Sequence, residues 1–161
     1  MSFVEIRKAV VADAALILSF ITELARYEKL EREVAATESD IRNSLFAESS
    51  TTSALICTLN GKPIAYAVYF FNYSTWLGKH GLYLEDLYVS PDYRNVGAGT
   101  ALMKHLAKIA LAKHCGRFEW SVLDWNEPAI KFYQAIGAIA QDEWVVYRLD
   151  GRALEEFANS Q

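Results

Sequence analysis

Cysteine is scarce in this chain and carries no pattern. Cys57 and Cys115 are the only two in 161 residues. With no Cys-x-x-Cys and no histidine-rich spacing, neither a disulfide framework nor a zinc site is indicated. Positive charge is not in excess either. Sixteen Lys and Arg stand against twenty Asp and Glu, for a net charge of −4, the reverse of a surface that nucleic acid or an anionic membrane attracts. No apolar run approaches the length of a membrane span, and no secretory signal is visible. Only three prolines occur, and no linker, repeat or low-complexity stretch divides the sequence. These absences predict a single domain over residues 1–161, cytoplasmic, with free thiols and no metal, nucleic-acid or membrane partner. A hydrophobic content of 52% is enough for a sizeable core at this length.

The punctuation of the sequence predicts an α/β fold. A first strand is expected over Phe3 to Ala9. Asp13 can cap a helix whose apolar residues, Leu16, Ile17, Phe20, Ile21 and Leu24, recur at helical spacing. Thr37-Glu38-Ser39-Asp40 resembles a capping box opening a second helix. Thr52 to Leu59 and Lys62 to Phe71 flank Asn60-Gly61, which reads as a tight hairpin turn. A strand over Leu82 to Val89 follows, then a helix from about Gly97 to His114 that Gly116 can end. A strand over Arg117 to Leu123 comes next. A short helix capped by Asn126 ends at Gly137. A last strand over Glu143 to Leu149 and a small helix over Arg152 to Ala158 close the chain. Six aromatics, Tyr66, Tyr69, Phe70, Phe71, Tyr73 and Trp76, crowd the second hairpin strand and the turn after it, and most are expected in the core.

Leu82 to Thr100 concentrates the chemistry. The strand carries two carboxylates, Glu85 and Asp86, which an ordinary buried strand avoids. In a regular strand they face opposite ways. Ser90-Pro91-Asp92 breaks it, and Arg94 to Gly99 reads Arg-x-x-Gly-x-Gly at a helix entrance. Glycines there let the backbone approach a ligand, and free N–H groups with the helix dipole favour an anion such as a pyrophosphate.

That run resembles the acetyl-CoA-binding core of the GNAT family of N-acetyltransferases. Asn126-Glu127-Pro128-Ala129-Ile130-Lys131-Phe132-Tyr133, followed by Ile136-Gly137-Ala138, resembles the family's short helix beside the pantetheine arm. Four further stretches resemble the polyamine and thialysine acetyltransferase branch: Leu24-Ala25-Arg26-Tyr27-Glu28, Tyr73-Ser74-Thr75-Trp76-Leu77-Gly78-Lys79, Tyr83-Leu84-Glu85-Asp86, and Val122-Leu123-Asp124-Trp125-Asn126-Glu127-Pro128. Together they span nearly the whole chain. The fold this implies is a mixed, mostly antiparallel central sheet flanked by helices.

The resemblance assigns roles residue by residue. Leu87, Tyr88, Val89, Arg94, Asn95, Val96, Gly97, Ala98, Gly99 and Thr100, with Asn126 and Tyr133, are implied to hold acetyl-CoA. An alkylammonium has a pKa near 10.4, so at pH 7 almost none is nucleophilic without a base. Glu85 is the candidate base, directly or through a water, and a family β-bulge in this strand would re-aim one carboxylate into the cleft. Asp86 shares that role or binds the substrate ammonium. Tyr133 is the candidate acid returning a proton to the leaving thiolate. Tyr27, Glu28 and Trp76 resemble acceptor-binding residues, a carboxylate and aromatic faces that suit an ammonium.

Three positions depart from the pattern. Asn95 stands where close relatives often carry glycine, though Asn tolerates left-handed backbone angles. Gln134 stands where the polyamine enzymes have a basic residue. Ser74 stands where they have Asp, which puts a grip on a distal ammonium in doubt and points to the thialysine side. The implied reaction is direct attack of a small primary amine on acetyl-CoA in a ternary complex: a thialysine-like amino acid, diamine or polyamine. A homodimer is implied as well. The rivals are an acetyltransferase for a peptide N-terminus or an aminoglycoside, and an acetyl-CoA-binding regulator without turnover.

Overall fold

Among the described residues five strands form one sheet in the order β1-β2-β3-β4-β5: β1 Val4–Lys8, β2 Thr52–Leu59, β3 Lys62–Ser74, β4 Lys79–Val89 and β5 Phe118–Trp120. The first four pair antiparallel and β5 runs parallel to β4. Among the described residues five α-helices accompany them: α1 Ala14–Tyr27, α2 Glu38–Leu45, α3 Ala98–Ala112, α4 Glu127–Ala135 and α5 Gly151–Ala158. The computed structural model describes residues 3–161. They fall into two compact units, one through Leu123 holding the sheet with α1–α3, the other from Asp124 holding α4 and α5. Among the described residues no helix is long and apolar enough to cross a membrane.

Local chemistry explains most element ends. Asn60 and Gly61 both have positive φ, 51° and 82°, the backbone a two-residue hairpin needs. Thr37 accepts the Asp40 N–H while Asp40 accepts the Thr37 N–H, which closes the capping box and starts α2. Asp13 precedes α1 but caps it differently from a forward N-cap. Its carboxylate turns back to the Val10 N–H at 2.8 Å and to both Arg7 terminal nitrogens at 2.7 and 2.8 Å.

Two expectations are corrected. His114, not Gly116, takes the left-handed residue after α3, with φ 57°. The Cys115 N–H then closes onto the Ala110 carbonyl at 2.8 Å, a Schellman-type end. Gly116 is tied instead to a close approach, because a Cβ there would stand 2.6 Å from Leu77 Cδ1. The predicted strand over 143–149 is not a strand. Its β-branched and aromatic residues carry strand propensity but no ladder partner, and propensity without pairing does not make a strand. Trp144, Val145, Val146 and Tyr147 are exposed, Tyr147 by 94%.

The core positions the site. Ile17 and Phe20 of α1 are buried with Ala54, Ile56, Tyr66 and Tyr88 of the sheet, and Leu16, Ile21, Leu24, Ile41, Leu45 and Val68 pack against that cluster. Phe20 stacks flat on Tyr66 at 5.2 Å and meets Tyr88 edge-on at 6.4 Å. The α1 stripe thus settles on the stretch of β3 and β4 that carries the carboxylates.

Candidate active site

The site is organised by a slip in the β3–β4 ladder. Val68 pairs with Asp86 and Tyr69 with Leu84, so Glu85 is the extra residue of a β-bulge. A bulge locally breaks the alternation that sends successive side chains to opposite faces. Glu85 and Asp86, adjacent in sequence, line one cleft of about 280 Å³. A broader surface concavity of about 490 Å³ lies at Arg26, Lys29, Glu31 and Arg32. There Arg26 is paired with Glu31 at 2.8 Å, and no β4 carboxylate reaches it.

The carboxylates differ in setting. Glu85 is exposed and Asp86 half-buried. The Tyr66 hydroxyl donates to Asp86 Oδ2 at 2.5 Å. Burial pushes the Asp86 carboxyl above the usual carboxylate range, and the Tyr66 hydrogen bond works against that shift. Tyr66 is fully buried. Its phenol is pushed far upward, first by burial and then by the Asp86 charge, so it stays a donor. Glu28, just past α1, is also shifted upward, by burial and then by the charge of Asp86. The structure therefore brings Glu28, Glu85 and Asp86 around one buried phenol.

The glycine loop leaves the end of the same strand. Asn95 and Gly97 hold φ of 82° and 84°, so Asn95 adopts the left-handed backbone allowed for it. Gly97 precedes Ala98, the first residue of α3, and supplies no side-chain cap. The first N–H groups of a helix lack intrahelical partners and suit an anion. Val96 is exposed and Ala98 buried, while Gly99 and Thr100 are half-buried in the first turn of α3. Arg94 Nε donates to the Val89 carbonyl at 3.3 Å. Its guanidinium lies over the rings of Tyr27 and Tyr88 at 5.2 and 5.9 Å. Tyr27 thus stands beside the loop.

Leu87, Tyr88 and Val89 lie on β4 beyond its pairing with β5, which covers only Leu82–Leu84. Their outer main-chain edge meets no strand among the described residues, an opening that fits an extended chain carrying amide groups. These features fit acetyl-CoA: an open strand edge for the pantetheine arm, then a left-handed loop and helix entrance for the pyrophosphate.

Trp76 and Ser74 lie at the other end of the β3–β4 hairpin. Trp76 is 80% exposed in the turn. Its neighbour Lys79 opens β4 six residues before Glu85, roughly 20 Å along a strand. The structure does not bring it to Glu85 and Glu28 within this chain. Ser74 is buried, and its Oγ accepts the Leu77 N–H at 3.2 Å, a turn-capping role. Asn126 and Tyr133 belong to the second unit. Asn126 caps α4 by accepting the Ala129 N–H at 3.5 Å, and Pro128 sits in the first turn. Tyr133 is half-buried on α4 beside Phe132. Gly137, with φ 94°, ends the helix.

Tyr66 is one of six aromatics in its stretch of sequence, and no local pattern sets it apart; its only signal is its place two positions before Val68, the residue that pairs with Asp86. The five apolar residues of the cleft carry no local signal that separates a cleft wall from a core stripe.

Comparison with known proteins agrees with this geometry. Residues 18–138 match the model of the acetyltransferase (GNAT) family. The chain is 39% identical to the thialysine N-epsilon-acetyltransferase of Bos taurus, over 98% of this chain and 99% of that one. It is 32% identical to the Homo sapiens spermidine/spermine N(1)-acetyltransferase-like protein 1, over 98% of this chain and 24% of that longer one. Among solved structures, an integron cassette protein of V. cholerae superposes with a TM-score of 0.82 at 32% identity, covering 98% of both chains. The chain belongs to the acetyltransferase (GNAT) family and is an acetyl-CoA-dependent N-acetyltransferase.

Proposed function

We propose that this enzyme acetylates a small primary amine, a thialysine-like amino acid, diamine or polyamine, by direct attack in a ternary complex. The observation that carries the reading is the bulge that turns both Glu85 and Asp86 to one cleft. Two carboxylates in a cleft that no Lys, Arg or His lines among the described residues attract an ammonium. Glu85, the more exposed, takes the ammonium proton directly or through a water. Asp86, held by Tyr66, orients the amine. Tyr133 returns a proton to the departing thiolate. Acetyl-CoA supplies the activated acyl carbon, and Arg94 to Thr100 bind its phosphates through backbone N–H groups. The relatives named for thialysine support the acceptor class.

A homodimer, a cytoplasmic location and a single domain over residues 1–161 belong to the same reading. The exposed Trp144–Tyr147 stretch and Trp76 supply apolar surface for a partner copy.

Release of free CoA from acetyl-CoA tests the function. The acceptors are thialysine, lysine, ornithine, putrescine, spermidine, spermine and an N-terminal peptide, run with Glu85→Gln and Tyr133→Phe. Turnover of small amines that falls at least a hundredfold in both variants supports it. Acetylation of the peptide alone, or acetyl-CoA binding with no turnover, overturns it.

A further inference from the structure

We propose that the cleft beside Glu85 and Asp86 selects amines by the uncharged body attached to the reacting nitrogen. The acceptor class is a primary amine with an alkyl, aryl or thioether body and no second cation within it. This rests on the reading of the site as an amine acetyltransferase and narrows its acceptor.

The cleft walls are apolar. Ile17 and Ile21 face it from α1, Ile41 and Leu45 from α2, and Val68 from β3. Each helix contributes residues four apart, so each presents one stripe. The hydroxyls that share the lining are largely engaged in their own elements. Ser44 Oγ donates to the Asp40 carbonyl at 2.7 Å, and Ser50 Oγ donates to the Thr52 carbonyl at 3.1 Å. Among the described residues, the only charged side chains lining the cleft are Glu85 and Asp86.

That distribution makes a polarised receptacle. One ammonium reaches Glu85 and Asp86. A second, carried further along the same molecule between the α1 and α2 stripes, would lie among Ile and Leu side chains, away from Glu85 and Asp86. Burying an uncompensated charge is costly, whereas an alkyl chain in the same place gains by burial. The volume of about 280 Å³ is of the scale of a small-molecule pocket. A thialysine-type acceptor fits with its thioether chain inside and its charged end outside. Spermidine places its secondary ammonium three carbons from the reacting nitrogen, inside the apolar stretch.

The test has a binding arm and a turnover arm. Calorimetric affinities are measured for propylamine, butylamine, hexylamine, phenethylamine, 1,4-diaminobutane and 1,6-diaminohexane, with CoA release followed in parallel. Affinity and kcat/KM should rise by up to about fourfold per methylene from propylamine to hexylamine. Butylamine should exceed 1,4-diaminobutane by at least about tenfold, because that second ammonium stops inside the apolar stretch. A flat series, or preference for the diamine, overturns the proposal. If hexylamine binds as expected but no amine is acetylated, the catalytic reading fails and the cleft assignment stands. Ser44→Asp places a carboxylate in the cleft at an exposed helical position and should invert the preference toward 1,4-diaminobutane. Leu45→Asp is the second variant, with thermal melting to confirm folding. An unchanged preference in folded forms of both refutes the cleft as the selector.

Discussion

The Tyr66 hydroxyl donates to Asp86 Oδ2 at 2.5 Å across two adjacent strands, and Phe20 stacks on the Tyr66 ring at 5.2 Å. The phenol has no freedom to turn away, so it fixes one oxygen of Asp86 and leaves the other for a ligand. It also restrains the upward shift that burial imposes on that carboxyl. Tyr66→Phe keeps the ring and removes the donor. The Asp86 pKa should then rise further, and the acid limb of the kcat/KM profile should move to higher pH. Rate at neutral pH should fall about tenfold, and stability by about 1–3 kcal/mol. A profile that superposes on that of the parent would remove Tyr66 from the site and leave it as core.

Asp13 gives the chain a measurable acid-side stability. Arg7 holds its carboxyl below the usual range, chiefly by hydrogen bonding, with the Val10 N–H adding to the effect. The folded protein binds this proton less readily than the unfolded chain does. The contribution is therefore complete above the unfolded value near 3.9 and is lost as pH falls through the lower folded value. Asp13→Asn should cost about 2 kcal/mol at pH 7, a figure restrained by the half-exposed Arg7 side chain. It should also flatten the slope of stability below about pH 4. Urea melts at pH 3, 4 and 7 decide this, and parallel curves for the two proteins would contradict it.

The glycine loop distinguishes conformation from space. A Cβ on Gly97 would touch nothing within 4 Å, yet its φ of 84° is left-handed. Gly97→Ala should cost about 1 kcal/mol and weaken acetyl-CoA by about three- to tenfold, because relief of that strain would reorient the N–H groups. Asn95 already holds φ 82°, so Asn95→Gly should leave affinity unchanged or slightly improved. Calorimetric titration with acetyl-CoA compares the pair. Equal affinity in Gly97→Ala would mean the phosphates do not depend on this loop.

The parts of the fold that were legible are those set by a few adjacent residues. The Asn60-Gly61 hairpin, the Thr37–Asp40 box and the Asn126 cap each carry their cause within four positions, and each formed where expected. The partnership of Tyr66 with Asp86 depends on register between strands, which no local pattern encodes. Ile17, Ile21, Ile41 and Leu45 have the same helical spacing whether they fill a core or line a cleft. Residues 143–149 failed as a strand for a related reason, since pairing needs an edge that the segment does not itself contain. The bulge at Glu85 was reached only through family resemblance.

The bulge can be separated from the carboxylate it carries. Deleting Glu85 would leave Leu84 opposite Tyr69 and place Asp86 next in line opposite Val68, so every other β3–β4 partner keeps its place. The ladder would run regularly, with one fewer unpaired residue. The variant should therefore fold, with a melting temperature within a few degrees of the parent, since about 1 kcal/mol corresponds to roughly 2–4 °C in a domain of this size. Turnover should fall at least as far as in Glu85→Gln, because the deletion removes both the base and the local turn that presents it. Acetyl-CoA affinity checks the register. Both Glu85→Gln and the deletion should leave it unchanged, because Leu87 to Val89 keep their β3 partners. Retained turnover in the deletion would show that neither the bulge nor its glutamate serves the reaction.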